Sequence, residues 1–397
     1  MSDPIPHFPF ADRPGIELTP AYLDLLRAGP LLPVQLPGGW QALLVTGYDD
    51  VRTVLADPRF SREAWQNGTL FARDSSMLAL ATSDPPTHTR RRRAVQQWFT
   101  HRRAEQSRPR IAAVARELMA GLVDRASTVD LVAEFTAPLP YRVISELLGI
   151  PRDDLERLLP YVPVMMSAGR FGTDEVTAAR EAMYDYFRNV VAGRGRATDP
   201  GDDLLTALLT APEETRLSPE EIAVFGFGLL MAGGETTASH LAMCVLQLLR
   251  RPELAGPLRR DPATIPAFAE EMLRWVWFAG TGGQPHVTLA EVDLAGTVIG
   301  AGEVVVPLTD AANRDPAAFA DPDELRPERT PNPHLGFGHG RHMCLGAAHA
   351  RVELQEGLAA ILPHLDRMEL AADDSELYWR DKMFIRGLWT LPVRWRR

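Results

Sequence analysis

The stretch Phe337-Gly-His-Gly-Arg-His-Met-Cys344-Leu-Gly346 places one cysteine among three glycines. Glycine adopts backbone conformations that are closed to other residues, and it lets a flat ligand approach the main chain closely. The arginine and histidine before Cys344, and a helix predicted to begin just after it, can supply the positive charge and amide donors that keep a thiolate deprotonated. We therefore predict a loop that presents the Cys344 thiolate as a ligand. A glycine-rich turn around a structural cysteine is the alternative.

Composition narrows the class of protein. The 397 residues are 45% hydrophobic and 24% charged, as in ordinary globular proteins, and the net charge of −10 gives no support to a nucleic-acid or anionic-membrane role. The two cysteines, Cys244 and Cys344, lie in segments that predict burial and fit a reducing cytoplasm. The N-terminus lacks a signal-peptide pattern, and no apolar run reaches the ~18 residues of a membrane span. We expect a cytoplasmic protein without a membrane anchor.

Periodicity predicts a mainly α-helical chain with a minor β portion. Two short strands flank Gly38-Gly39 within residues 33–46, which is a hairpin signal. A helical pattern runs over residues 108–148, strand-like segments lie within 287–306, and a helix returns over 345–362.

The longest predicted helix carries a second chemical feature. It starts at a capping box of Ser218 and Glu221 and is apolar on nearly every face, so it should be buried. Its middle, Ala232-Gly-Gly-Glu-Thr-Thr237, holds two glycines that cost up to ~1 kcal/mol each and an acid that is costly to bury unpaired. The glycines would leave room for a flat ligand, and Glu235 with Thr236 would form an acid–alcohol pair that can transfer protons. A kinked core helix with a solvated glutamate is the alternative.

Both motifs resemble those of the haem-thiolate monooxygenases, the cytochrome P450 superfamily. The cysteine loop is similar to the signature Phe-Gly-x-Gly-x-x-x-Cys-x-Gly, and residues 232–237 are similar to the oxygen-activation motif. The resemblance implies a triangular, mainly helical P450 fold with small β-sheets, in one domain over residues 1–397. It also implies haem b, iron protoporphyrin IX, with Cys344 as the iron ligand. Glu235 and Thr236 would be the catalytic residues.

The resemblance further implies the haem contacts. Residues 84–93 look like the family's Asp-Pro-Pro-x-His-Thr-x-x-Arg element, whose histidine and arginine, here His88 and Arg92, bind propionates. A solvated arginine-rich helix face is the plain interpretation of the same run. The other implied cofactor-binding residues are Ala232, Gly233, Phe337, Gly338, His342, Cys344 and Gly346.

One implied contact departs from the family pattern. Where the family commonly has an arginine that binds a propionate, this chain has His286. A histidine donates fewer hydrogen bonds and can be neutral at physiological pH. If His286 bonds a propionate, we expect the carboxylate to raise the pKa of His286. A surface histidine at a strand end is the alternative.

A structural triad and a substrate pocket complete what the resemblance implies. Glu271, Arg274 and Arg329 match the family's buried triad, in which arginine–carboxylate bonds hold the thiolate loop in register. The pocket is expected from residues 65–80, 161–171, 276–283 and 383–386, although such residues could equally serve as core. The pocket candidates are Trp65, Gln66, Ser75, Met165, Val276, Trp277, Phe278, Phe384 and Arg386.

The predicted activity is oxidation of a small organic molecule, a secondary metabolite, with O2. The chain has no Gly-x-Gly-x-x-Gly nucleotide motif, so we expect electrons from a separate ferredoxin or flavodoxin and its reductase. We expect a monomer, with Arg90, Arg91, Arg102 and Arg103 as candidates for docking an acidic carrier.

Two alternative functions stay open. One is a P450-type coupling enzyme that forms C–C or C–N bonds, for example on a tryptophan-containing cyclodipeptide. The other is a non-catalytic haem sensor or carrier, which needs no proton relay.

Overall fold

The computed structural model describes residues 5–10, 15–66, 79–123, 125, 127–196 and 202–396. Its α-helices are α1 Pro20–Ala28, α2 Tyr48–Ala56, α3 Glu63–Gln66, α4 Ala79–Thr82, α5 Thr87–Val95, α6 His101–Ala120, α7 Pro138–Leu148, α8 Arg152–Leu158, α9 Tyr161–Met165, α10 Thr173–Arg194, α11 Leu204–Leu209, α12 Pro219–Arg250, α13 Pro252–Arg260, α14 Ile265–Trp275, α15 Thr309–Ala312 and α16 Ala347–Ile361. Its strands are β1 Leu31–Gln35, β2 Gln41–Val45, β3 Phe60–Ser61, β4 Val129–Asp130, β5 His286–Thr288, β6 Val292–Leu294, β7 Thr297–Ile299, β8 Val304–Pro307, β9 Met368–Leu370 and β10 Pro392–Trp395.

The chain divides into two compact units. Unit 1 comprises residues 1–75, 80–88 and 270–344, and unit 2 comprises residues 76–79, 89–269 and 345–397. One division falls inside α5, after His88, and another falls inside α14, after Ala269. The organisation as one domain over residues 1–397 stays a prediction.

Unit 1 is built on a five-stranded sheet with the order β1-β2-β8-β5-β3. The predicted hairpin is confirmed, since β1 and β2 pair antiparallel from Leu31 opposite Val45. Successive side chains of a strand point to opposite faces of the sheet. Accordingly, Val306 packs in one hydrophobic cluster and Val305 in another. Burying each such side chain contributes ~1.5–3 kcal/mol, so both faces of the sheet hold unit 1 together.

Unit 2 is helical and is organised around α12. The capping box of Ser218 and Glu221 is confirmed, with both reciprocal bonds present. Residues 222–248 of α12 are buried except on one stripe, and α12 packs against α7, α10 and α16. α12 is long and apolar enough to cross a membrane, but 72% of its apolar window is buried inside the protein. Its composition is therefore explained by its place in the core.

The predicted helix over residues 108–148 is wrong in its middle. α6 ends at Ala120, β4 and a π-helical turn over Val132–Thr136 follow, and α7 begins at Pro138. In β4, Val129 pairs with Val393 and Asp130 with Pro392. Local periodicity cannot reveal a pairing with a strand so distant in the chain. The pairing of β4 with β10 overrides the helical propensity of this segment.

Candidate functional site

The cysteine loop in unit 1 has the glycine-dependent geometry that the sequence predicts. Gly338 and Gly340 have φ of 70° and 68°, in the left-handed region that favours glycine. A Cβ on Gly340 would lie 2.6 Å from the carbonyl oxygen of Leu55, so α2 also requires glycine there. The amide of Cys344 donates to the carbonyl of Phe337 at 2.8 Å, which closes the loop. Gly346, by contrast, has φ of −83° and open space around it.

The two cysteines have opposite surroundings. Cys344 is exposed, which corrects the expectation that both cysteines are buried. Cys244 is fully buried in α12, and burial raises the pKa of its thiol. A buried thiol with a raised pKa is inert as a ligand. Of the two cysteines, Cys344 is therefore the one whose side chain a ligand can reach.

The side chains of Glu271, Arg274 and Arg329 meet in unit 1 as a bonded triad. Arg274 and Glu271 form a two-point pair, with Nε–Oε2 at 2.8 Å and Nη2–Oε1 at 2.7 Å, and both side chains have zero exposure. Arg329 Nε donates to the same carboxylate at 3.1 Å. The Arg326 amide and the Asn332 side chain add donors at 2.9 and 3.2 Å. The carboxylate is therefore saturated with donors, as a buried charge requires.

A chain of hydrogen bonds links this triad to the cysteine loop. Arg274 Nη1 donates to the carbonyl of Asn313 at 2.9 Å, and Oδ1 of Asn313 accepts from the Leu335 amide at 2.7 Å. The Leu335 carbonyl accepts from the Gly338 amide at 2.8 Å. The sequence did not single out Asn313, whose side chain makes the central link. These contacts give the triad a structural role, since they fix the loop that carries Cys344.

Five basic side chains of unit 1 lie near one another and are called the basic cluster here: Arg62, His88, His286, Arg341 and His342. His88 is 3% exposed, and its ring centroid lies 4.3 Å from that of His342. Burial lowers the pKa of His342 to about 2, and the nearby basic side chains of Arg62, His88, His286 and Arg341 act in the same direction. Nε2 of His342 is buried with no hydrogen-bond partner among the described residues. The guanidinium groups of Arg62 and Arg341, near the unsatisfied Nε2 of His342, suit a ligand that carries carboxylates, as haem does in its propionates.

His286 is buried in unit 1 beside a guanidinium, and the raised pKa expected if it bonds a propionate stays a prediction. It is 2% exposed, Nδ1 bonds the carbonyl of Gln284 at 2.9 Å, and Nε2 accepts from Arg62 Nε at 3.1 Å. Burial and then the positive charge of Arg62 hold the pKa of His286 well below its usual value. The ring is thus a neutral acceptor that faces a guanidinium. Arg62 has no motif around it, and sequence reasoning missed it.

In unit 2, one stripe of α12 is open. Among residues 222–248, the residues that are not buried are Gly228, Leu229, Ala232, Gly233 and Thr236. Their spacing of one, three and four positions sets them on one helix face. Two residues of the stripe, Ala232 and Gly233, are ones that the resemblance assigns to the cofactor. Apart from Leu229, the residues of the stripe are small. The hydroxyl of Thr236 donates to the carbonyl of Ala232 at 2.5 Å, the turn-back bond that threonine makes inside helices.

Glu235 lies off this stripe and is 3% exposed. Its Oε2 accepts from the Tyr141 hydroxyl at 2.8 Å, and its Oε1 forms an ion pair with Arg380 and accepts from Ser239 at 3.4 Å. Burial lowers the pKa of Arg380 to about 10, which leaves it cationic at neutral pH. The alternative of a solvated glutamate is therefore wrong. Sequence reasoning missed Tyr141 and Arg380.

The two adjacent glycines in the middle of α12, Gly233 and Gly234, lie against neighbouring side chains. A Cβ on Gly234 would lie 2.2 Å from the Tyr141 ring, and a Cβ on Gly233 would lie 3.1 Å from Ile144. Gly234 is buried, so it makes room for Tyr141, which corrects the expectation that both glycines make room for a flat ligand. Gly234 thereby allows the Tyr141 hydroxyl to reach Glu235.

The pocket candidates of unit 1 are partly core. Trp65 and Trp277 belong to one hydrophobic cluster, with Trp65 against Trp40 at 5.7 Å and Trp277 against Tyr22 at 5.1 Å between ring centroids. Their assignment to a pocket is therefore corrected to the core. Val276 is 2% exposed, and the amide of Phe278 donates to Asp310 at 3.0 Å. The Gln66 side chain and Ser75 lie outside what the structure describes.

The pocket candidates of unit 2 come from two neighbouring segments. Ser167 and Met383 form a bridge, and the amide of Phe384 donates to the carbonyl of Met166 at 2.9 Å. Met165 is 5% and Arg386 is 2% exposed. The chain thus brings together residues 161–171 and 383–386, two of the predicted pocket segments, and their role in binding a substrate stays a prediction.

The arginine-rich run is used internally. Both Arg90 and Arg91 form ion pairs with Glu221 in unit 2, so part of the charge expected to dock a carrier is already paired. Arg102 and Arg103 are exposed, and the guanidinium of Arg103 lies over the Trp98 ring at 4.3 Å. Arg92 is half-buried on α5, one turn after His88.

Comparison with known proteins agrees with this geometry. A family model described as Cytochrome P450 matches residues 172–265 and 263–377. The mycinamicin IV hydroxylase/epoxidase of Micromonospora griseorubida is 40% identical over 396 residues, covering 98% of each chain. The nocardicin C N-oxygenase of Nocardia uniformis subsp. tsuyamanensis is 38% identical with the same coverage. A crystal structure described as the putative thioether synthase SgvP, involved in the tailoring step of griseoviridin, is similar with a TM-score of 0.92 at 38% identity, covering 99% of this chain and 100% of that one.

The family model, the relatives and the similar structure all point to one family. The chain belongs to the cytochrome P450 family and has its fold. It is a P450 monooxygenase, an oxidoreductase whose cofactor is haem b and whose co-substrates are O2 and a small organic molecule.

Proposed function

We propose that this monooxygenase tailors a secondary metabolite by inserting one oxygen atom into it. The balanced reaction takes the substrate, O2, two electrons and two protons to the oxygenated product and water. Two of the relatives are named for oxygenation of mycinamicin IV and nocardicin C, which supports oxygen insertion into a natural product. The identity of the substrate is left to experiment.

We propose that Cys344 is the iron ligand and that the basic cluster binds the propionates. Bound haem supplies the redox centre at which O2 is reduced, and a thiolate ligand favours cleavage of the O–O bond. The loop residues Phe337, Gly338 and Gly346 shape the backbone around the thiolate. The triad keeps that loop in register through Asn313.

The proposed catalytic role of Glu235 and Thr236 rests on one observation: these two adjacent residues of α12 have opposite surroundings. Thr236 lies on the open stripe, whereas Glu235 is buried as an ion pair with Arg380. We propose that the Thr236 hydroxyl transfers protons at the stripe, and that Glu235 is the adjacent acid held by Tyr141 and Arg380. A haem sensor or carrier needs neither residue. Burying a carboxylate costs free energy that its partners only offset, which supports a role for Glu235 beyond packing.

We propose further that the protein is a cytoplasmic monomer that takes electrons from a separate ferredoxin or flavodoxin. The exposed Arg102 and Arg103 are the remaining candidates for docking an acidic carrier. Such charges act mainly through the association rate, which falls as salt rises.

The test is a spectral titration followed by product analysis. Each candidate natural product is added to the ferric protein, and a ligand that displaces distal water shifts the Soret band. Binders are then incubated with a ferredoxin, its reductase and NADPH. A product heavier by one oxygen atom supports the proposal. A product that has lost two hydrogens, or a joined dimer, would instead establish the coupling activity.

A further inference from the structure

Arg62 lies across the sheet from His286, the position at which the family pattern has a propionate-binding arginine. Strands β3 and β5 pair antiparallel, with Phe60 opposite Thr288 and Ser61 opposite Val287. The next step of this register sets Arg62 opposite His286. Side chains of an opposite pair lie on the same face and contact each other. A side chain at position 62 can therefore reach the space that a side chain at position 286 reaches.

Two neutral acceptors hold the guanidinium of Arg62. Nε donates to Nε2 of His286 at 3.1 Å, and Nη1 donates to the carbonyl of Ala81 at 3.2 Å. The bond between Nδ1 of His286 and the carbonyl of Gln284 sets the tautomer that leaves Nε2 as an acceptor. These contacts orient Arg62 without neutralising it.

Arg62 has one acidic and one basic neighbour, Asp84 and Arg341, and among the described residues it forms no ion pair with the acid. Burial lowers the pKa of Arg62 to about 10, Asp84 opposes that shift, and Arg341 adds to it. Asp84 itself accepts a bond from the Ser61 hydroxyl. A partly buried guanidinium in such surroundings is stabilised by an additional carboxylate, and guanidinium is the group best suited to bind one at two points.

We propose that Arg62 supplies the guanidinium that binds a haem propionate, and that His286 is the positioning residue that holds Arg62 in place. A cross-strand pair thus replaces the single arginine that the family pattern has at position 286. The inference depends on haem b as the cofactor, and it is independent of the substrate and of the role of Glu235.

The test is a charge swap across the two strands, measured on the haem-loaded protein. The variants are Arg62→Gln, Arg62→Gln with His286→Arg, and Arg59→Gln as a matched control. Arg59 is on the same chain segment, but its side chain is 46% exposed and ion-paired with Asp57. The readouts are the rate of haem transfer to apomyoglobin and the propionate-bending bands in the resonance Raman spectrum. Circular dichroism verifies folding.

We expect Arg62→Gln to lose haem about tenfold to a hundredfold faster, the scale of one hydrogen bond between charged groups, with a shifted propionate band. Adding His286→Arg should return the rate to within about threefold of wild type, because the guanidinium then comes from the opposite strand. A haem-loss rate for Arg62→Gln equal to that of Arg59→Gln would overturn the proposal. So would a double variant that loses haem as fast as Arg62→Gln. If Arg62→Gln does not fold, haem retention by the double variant decides the question in the same way.

Discussion

The Tyr141 hydroxyl donates to Oε2 of Glu235 at 2.8 Å, while Arg380 forms an ion pair with Oε1 of the same carboxylate. The acid of the oxygen-activation motif is therefore fixed by groups from α7 and from the C-terminal segment. Gly234 permits this arrangement, because any side chain there would collide with the Tyr141 ring. Glu235 is thus held away from the stripe that carries Thr236, and its proposed part in proton transfer depends on these partners.

Replacing Tyr141 tests the importance of that arrangement. Tyr141→Phe keeps the ring and removes one donor from a buried carboxylate, a bond worth ~1.5–3 kcal/mol. We expect the fold and the haem content to be kept and coupled product formation to fall about tenfold. The measurement is product formed per NADPH consumed, with Tyr184→Phe as the control. Equal coupling in both variants would show that Glu235 needs no help from Tyr141.

The Thr236 hydroxyl is tested by a pair of substitutions. Thr236→Ala should still bind substrate, but it should lose on the order of 10²-fold in coupled turnover, the usual scale of a positioned proton transfer. The missing electrons should appear as hydrogen peroxide in solution. Thr236→Ser retains the hydroxyl and should keep most of the coupling. Full coupling in Thr236→Ala would mean that water alone delivers the protons.

The triad should control stability rather than chemistry. Glu271→Gln leaves Arg274 and Arg329 as buried charges without their counter-charge, which costs ~3–5 kcal/mol. We expect a matching loss in the free energy of unfolding and a lower haem content after purification. Glu328→Gln is the control, since Glu328 is 74% exposed and lies 3.6 Å from Arg326. If Glu271→Gln is as stable as the control, the triad does not hold the cysteine loop in place.

The contrast between the cysteines gives a spectroscopic prediction. Reduced protein under carbon monoxide should show the long-wavelength band of thiolate ligation, and Cys344→Ser should lose it. Cys244→Ala should keep the band, because Cys244 is fully buried in α12. Retention of the band in Cys344→Ser would contradict the assignment of the iron ligand.

The lowered pKa of His286 predicts a pH dependence of stability. An unfolded histidine takes up a proton below about pH 6.5, but folded His286 does not, because burial, Arg62 and Arg341 oppose the charge. The unfolded state then binds more protons, so the free energy of unfolding falls as pH drops, by up to ~1.4 kcal/mol per pH unit.

His286→Gln should flatten that dependence between pH 6.5 and 5 and leave the higher pH range unchanged. The measurement is urea unfolding across the pH series, compared with wild type because His342 and His349 also have lowered pKa values. His101→Gln serves as an exposed control. Parallel pH profiles for wild type and His286→Gln would show that His286 is protonated in the folded protein.

Several features were predictable because their causes are local in the chain. The capping box fixes the start of α12, Gly38 and Gly39 fix the β1–β2 turn, and Gly338 and Gly340 fix the cysteine loop. Each depends on backbone conformation or on partners within a few residues. The same holds for the pairing of Glu271 with Arg274, which lie three residues apart on α14.

Other expectations failed where distant partners decide. The helix predicted across residues 121–137 gives way to β4, which pairs with β10. Trp65 and Trp277 were assigned to a pocket, but they pack in the core of unit 1. An apolar side chain carries no sequence signal that separates a pocket wall from a core, since both exclude water.

The sequence by itself determined the family and the positions of the acid and alcohol on α12, and it predicted the iron ligand, because these depend on residue type and spacing. Only the tertiary structure decided how the charges are held. Tyr141 lies 94 residues from Glu235, and Arg62 lies 224 residues from His286. Pairing a buried charge needs a partner in space at hydrogen-bond distance, whatever its distance along the chain. The partners of Glu235 and His286 therefore came only from the fold.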